Sequence, residues 1–146
     1  MLEKLLRFTE LADRKYIDCF LQYHVPLPQA ELIFSHILNT QHIWVSRICG
    51  NAPCFDRFHQ HVVRDFEALH QRNTNDLRGF LSLDPETVIE YISTDGGTHR
   101  NSIHDILLNV TNHSTYHRGQ IATQFKRHGI TPPSTDYVVL VRDGEV

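Results

Sequence analysis

Apolar residues recur at helical spacing along most of the chain. Over residues 1–24, Leu2, Leu5, Leu6, Thr9, Tyr16 and Phe20 fall on one side at about 100° per residue, which predicts a first helix. The segment VPLPQ (residues 25–29) ends it, because proline has no amide donor and restrains the residue before it. Pro28 suits the first turn of a second helix, which runs to about Gly50, a residue at ease in the left-handed terminating conformation. A loop over residues 51–58 follows. A third helix is expected over residues 60–83, with Val62, Phe66, Leu69, Leu77 and Phe80 in register. Asp84-Pro85 breaks the pattern. Residues 87–101, with a β-branched run and an Asp-Gly-Gly turn, read either as a short hairpin or as an ordered crossover. Ser102 and Asp105 form an S-x-x-D cap ahead of a fourth helix. It ends at Gly129, after Lys126, Arg127 and His128, whose charge or polarity suits a helix C-terminus. The tail, residues 131–146, reads as extended, with a strand-like run over 137–141. The pattern predicts an all-α fold. It is a four-helix bundle with a long crossover between helices 3 and 4, in one domain over residues 1–146.

Composition narrows the function classes. The 146 residues carry 14 Lys and Arg against 17 Asp and Glu, a formal charge of −3. That argues against a general nucleic-acid binder and against electrostatic docking on an anionic membrane. No apolar run approaches the ~18 residues of a membrane span. The charged first segment does not read as a secretory signal. Three cysteines, Cys19, Cys49 and Cys54, form no C-x-x-C pair and fit a reducing, cytoplasmic setting. Cys19 and Cys49 read as buried, Cys54 as an accessible loop thiol.

The unusual count is 11 histidines. On helix 4 the apolar stripe is Ile103, Ile106, Leu107, Val110, Ile121 and Phe125. Between Val110 and Ile121 it continues through His113 and His117, four residues apart and so stacked on one face. On helix 2 the inward stripe is Leu32, Ile33, Ile37, Ile43 and Trp44, with His36 inside it. A lone inward histidine is usually a core side chain bonded to a carbonyl. Two imidazoles one turn apart, with a third on a neighbouring helix, suit a divalent cation, for which neutral imidazole is a ready ligand. The second apolar strip of helix 2, Leu38, Val45 and Cys49 with His42, is expected to face another subunit or to pack under the loop after Gly50. His59, His61, His99 and His104 are expected in solvent. Asp13, His70 and Asn73 lie on inner faces, where one could orient a ligand histidine. Arg47 and Arg118 are candidates to hold an acidic co-substrate near the site.

Two stretches, FSHILNTQHIWVSRI (residues 34–48) and LLNVTNHSTYHRGQIATQFKRHGITPPSTDY (residues 107–137), resemble the DinB/YfiT-like family of four-helix metal-binding proteins. The resemblance implies one metal site with His36, His113 and His117 as ligands, a divalent ion such as nickel or zinc, and a homodimer. It also implies low-molecular-weight thiols as co-substrates. The functional expectation is a metal-dependent thiol S-transferase of the bacillithiol type, acting on small electrophiles in stress. The alternatives are a non-enzymatic metal-binding stress protein and a hydrolase using a metal-bound hydroxide. No catalytic residue beyond the ligands is singled out, and no Gly-rich loop suggests phosphate binding.

Overall fold

The computed structural model describes all 146 residues. Its elements are α1 (Leu2–Gln22), α2 (Pro28–Ile48), α3 (Phe66–Gly79), the strands β1 (Val88–Ile92) and β2 (Thr98–Ser102), α4 (Ile103–Arg127) and the short α5 (Tyr137–Arg142). Single 3-10 turns precede and follow α3 at Val63–Asp65 and Phe80–Ser82. No helix is long and apolar enough to cross a membrane.

The helix ends follow the sequence signals. Ser102 Oγ accepts the Asp105 amide at 3.1 Å and caps α4. Gly50 and Gly129 take φ of +69° and +71° just past α2 and α4, where a β-carbon would be strained. At the start of α2, Pro28 opens the first turn and Glu31 reaches back to accept the Leu27 amide at 2.9 Å.

Both α1 and α2 pack against α3 and α4, so α1/α2 and α3/α4 are the diagonals of a four-helix bundle. One end of the bundle is aromatic. Phe20, Phe34, Phe66 and Phe125 come from α1, α2, α3 and α4 respectively, with Phe20 5.1–5.5 Å from each of the other three rings. The other end is aliphatic, built from Leu6, Val45, Leu77, Ile103, Leu107 and Val110. Between them lies a buried polar layer of Asp13, Gln41, Asn73, Ser114 and Arg118, again drawing on all four helices. The crossover between α3 and α4 carries the antiparallel hairpin, in register Val88↔Ser102 through Ile92↔Thr98.

Several expectations fail. The third helix begins at Phe66 and not at residue 60, because the chain before it runs extended along α2: the His61 amide donates to Ser35 Oγ at 3.0 Å. The run over 137–141 is helical. Asp136 Oδ1 accepts the Val138 amide at 3.0 Å, and Leu140 seals against Phe8 and Ala12 of α1, where no strand is available for pairing. The phase of α2 is also turned. Leu38 and Val45, 1% and 7% exposed, are core residues rather than a face for a second subunit, while Leu32, Ile43 and Trp44 are only half-buried.

Candidate metal centre

His36 stands on α2 and His113 and His117 stand on successive turns of α4, the two helices that lie side by side. Their ring centroids are 4.9 Å (36–113), 4.7 Å (36–117) and 4.4 Å (113–117) apart. One nitrogen from each ring lies within 4.8 Å of the others. All three are half-buried. On α4, His113 and His117 occupy the edge of the buried stripe, not its centre. The innermost positions belong to Ser114 and Arg118, at 0% and 2% exposure.

Hydrogen bonds orient the rings. His36 Nδ1 donates to the Arg57 carbonyl at 2.9 Å, so its Nε2 carries a lone pair. His113 Nε2 lies 3.1 Å from that atom. His117 Nδ1 donates to Gln120 Oε1 at 2.7 Å, which frees its Nε2 as well. A carbonyl or amide oxygen on the far nitrogen is the usual way a protein fixes the tautomer of a metal-binding imidazole. Asn39, one turn after His36, holds the loop that supplies the carbonyl. Its Nδ2 donates to the His59 carbonyl at 2.7 Å, and its Oδ1 accepts His61 Nε2 at 2.6 Å.

The surroundings of His113 and His36 favour the neutral ring. Burial, and then the neighbouring His117 and His36, push His113 down to about 4. Burial also lowers His36, against the opposing pull of the Arg57 carbonyl. Neutral imidazole is the metal-binding form. Metal–imidazole bonds of about 2.0–2.1 Å place adjacent donors about 3.3 Å apart in a tetrahedral shell. The 36–113 pair, at 3.1 Å, is close to that spacing, and the three donor atoms all lie within 4.8 Å of one another. The donor set therefore fits a divalent ion with three protein ligands.

A family model described as the DinB family matches residues 21–143. The chain belongs to the DinB family. No curated protein matches it.

The remaining sequence candidates of this DinB-family chain go elsewhere. Asp13 does not orient a ligand. Its Oδ1 accepts Arg118 Nη1 at 2.5 Å and its Oδ2 accepts Gln41 Nε2 at 2.8 Å. Arg118 is thereby a buried structural cation and not a group at the mouth. Arg47 lies over Trp44 and Tyr91, 4.6 and 4.5 Å from their centroids, and donates to the Ile92 carbonyl at 3.2 Å, which ties α2 to the hairpin. Asn73 donates to the Leu38 carbonyl at 2.9 Å. His70 is buried with neither ring nitrogen in a well-aligned hydrogen bond, and burial pushes its pKa down against the opposing pull of Asp13 and the Glu10 backbone. Of the two expectations for His42, packing under the loop is the one met: its Nε2 accepts the Cys54 amide at 2.9 Å. His61 is buried rather than in solvent, whereas His59, His99 and His104 are exposed. Cys49 is exposed against expectation, Cys19 is half-buried, and Cys54 is exposed as expected.

The sequence reading missed Asn39, the Arg57 carbonyl and two aromatic neighbours. Phe58 stacks on His36 at 5.4 Å, and Tyr116 meets His117 edge-on at 5.1 Å. Asn39 does carry a sequence signal, lying one helical turn from His36 in the same motif. A backbone carbonyl from a loop has no residue signature.

Proposed function

We propose that this DinB-family protein binds one divalent ion, nickel or zinc, through His36, His113 and His117, and acts as a metal-dependent thiol S-transferase. The observation that carries the reading is the convergence of three imidazoles from two helices to within 4.8 Å, two of them oriented by oxygen acceptors on their far nitrogens. Closed structural zinc sites use four protein ligands, whereas catalytic ones keep three and an open position. Three neutral ligands leave the ion its full +2 charge. When bound, such an ion acts as a Lewis acid that makes a thiol acidic enough to ionise near neutral pH.

The chain's own contribution is positional. The Arg57 carbonyl and Gln120 fix the ring orientations, Asn39 fixes Arg57, and the polar layer beneath holds α4 in register through Ser114 and Arg118. In the proposed transfer the thiol sulfur forms a bond to the electrophilic carbon. The leaving group departs with its electron pair, and the thiol proton passes to solvent. The protein would work as a single domain over residues 1–146, as a homodimer, in the cytoplasm.

The test is turnover by metal-loaded protein of a low-molecular-weight thiol, bacillithiol first, with an activated electrophile such as 1-chloro-2,4-dinitrobenzene, which releases chloride. The reading expects a rate that requires both metal and thiol and disappears in His117→Ala. Turnover of ester substrates without thiol would replace it with the hydrolase reading. Metal binding with no turnover of either kind would leave a binding protein.

A further inference from the structure

The loop after α2 supplies the acceptor for His36, and side chains of α2 hold that loop in place. Over residues 52–61 the sole backbone–backbone hydrogen bond is internal, from the His59 amide to the Asp56 carbonyl at 3.0 Å. The loop is fastened to α2 instead by side chains on successive turns of one face of the helix. Ser35 Oγ accepts the His61 amide at 3.0 Å, and His36 Nδ1 donates to the Arg57 carbonyl at 2.9 Å. Asn39 Nδ2 donates to the His59 carbonyl at 2.7 Å and, at 3.4 Å, to the Arg57 carbonyl. One turn further, His42 Nε2 accepts the Cys54 amide at 2.9 Å. His36 is thus one member of a polar seam between α2 and the loop.

Asn39 sits in the middle of the seam at 0% exposure. With its Nδ2 turned to two carbonyl oxygens, its Oδ1 needs a donor, and His61 provides one from Nε2 at 2.6 Å. The His61 ring is itself buried, at 7% exposure. It stands edge-on to Phe55 at 4.7 Å and meets His59 at 4.7 Å. It makes no hydrogen bond to any of the three ligand histidines. The chain of contacts from His61 to the centre therefore runs through Asn39 and the Arg57 carbonyl to His36. His117 is held differently: its acceptor, Gln120, lies three residues on in the same helix and owes nothing to the loop.

We propose that His61 is a positioning residue of the metal centre. Through Asn39 it keeps the Arg57 carbonyl against His36 Nδ1 and so keeps the lone pair of His36 Nε2 turned to the ion. Without the His61 donor, Asn39 Oδ1 is buried and unsatisfied, the amide is free to turn, and both loop carbonyls lose a fixed donor. His36 then loses the acceptor that sets its tautomer. The proposal rests on the metal-binding reading and adds a residue to it.

The full chain tests this first without metal. At pH 8, above the ordinary imidazole value of about 6.5, the ring-nitrogen resonances of isotope-labelled protein report each tautomer. Wild type is expected to hold both His36 and His117 as Nδ1–H rings. His61→Phe keeps a flat ring against Phe55 and His59 without the donor. It is expected to mix the two tautomers at His36 while His117 keeps its resonances. His61→Gln, which returns a donor, restores the His36 signal; His61→Met, matched to Gln in length but without the donor, does not. Nickel affinity from chelator competition follows the same order. It falls about three- to tenfold in His61→Phe and His61→Met, less than the ~10–100-fold of a direct partner. In an Asn39→Ala background His61→Phe adds no further loss, because His61 acts through Asn39. Wild-type His36 resonances and affinity in both His61→Phe and His61→Met, equal losses in His61→Gln and His61→Met, or a full further loss in the Asn39→Ala background each overturn the proposal and leave the metal reading standing. Wild-type protein that takes up no nickel overturns the metal reading and the proposal with it.

Discussion

Arg118→Ala tests whether the polar layer or the metal rim is where this cation works. The Arg118 and Asp13 side chains are 3% and 0% exposed, so their ion pair is sealed from water. Asp13 also accepts Gln41, and Arg118 Nη2 donates to Thr115 Oγ1 at 2.8 Å. Removing the guanidinium leaves a carboxylate in the middle of the bundle with one amide donor. Breaking one partner of a buried pair costs about 3–5 kcal/mol. That is a large part of the ~5–15 kcal/mol that holds a domain of this size. Replacing both partners, Asp13→Leu with Arg118→Met, removes both desolvation penalties and is expected to be far less harmful than either single alanine change. Urea denaturation of the metal-free protein at pH 7 measures all of these, with the double-mutant coupling read from Asp13→Ala, Arg118→Ala and their combination. Single variants within about 1 kcal/mol of wild type, the usual range for an exposed pair, would refute the reasoning. So would strict additivity. Either result would show that the buried pair is not what holds the polar layer together.

Other consequences follow from the same contacts. Asn39→Ala, which touches no ligand ring but frees the loop behind His36, is expected to weaken metal affinity about 10–100-fold in a competitive chelator titration, with the three histidines intact. His70→Leu removes a buried imidazole neither of whose nitrogens makes a well-aligned hydrogen bond, so its urea midpoint is expected at or above wild type, a poorly satisfied buried group costing about 1–3 kcal/mol. The metal-free protein should lose stability as pH falls from about 6.5 towards 4. His113 stays neutral in the folded state down to about 4, while the unfolded chain takes up its proton at the ordinary value of 6.5, so protonation favours unfolding across that window. In His113→Leu the fall measured by urea titration at each pH should be shallower, and an unchanged slope would contradict the assignment.

Much of the bundle is legible in the sequence because its helices announce their ends. Pro28, Gly50, the Ser102 cap and Gly129 all mark boundaries that the structure keeps. The orientation of α2 was not legible. Its core face includes Ser35, Asn39, Gln41 and Ser46, buried polar residues that an apolar-phase argument counts as solvent-facing. The partners of Ser35, Asn39 and Gln41 lie on loops and helices distant in sequence. The same blindness put His113 and His117 at the centre of the α4 stripe, when Ser114 and Arg118 occupy it. The histidines were found all the same, because the edge of a stripe is one residue from its middle. The tail misled for another reason: β-branched residues favour strands only where an edge is available for pairing, and residues 137–141 meet the side of α1 instead. For the candidate site, the ligating side chains were readable and the backbone carbonyl that orients one of them was not.

The central claim is that three imidazoles share one ion with a free side. Cobalt substitution of the purified chain tests it most directly, by metal analysis together with the absorption spectrum in the presence and absence of thiol. The account predicts one cobalt per chain, a ligand-field spectrum that changes when thiol is added, and loss of binding in His36→Ala, His113→Ala and His117→Ala. Cobalt uptake that persists in a variant lacking all three histidines, or wild-type protein that takes up none, would contradict it.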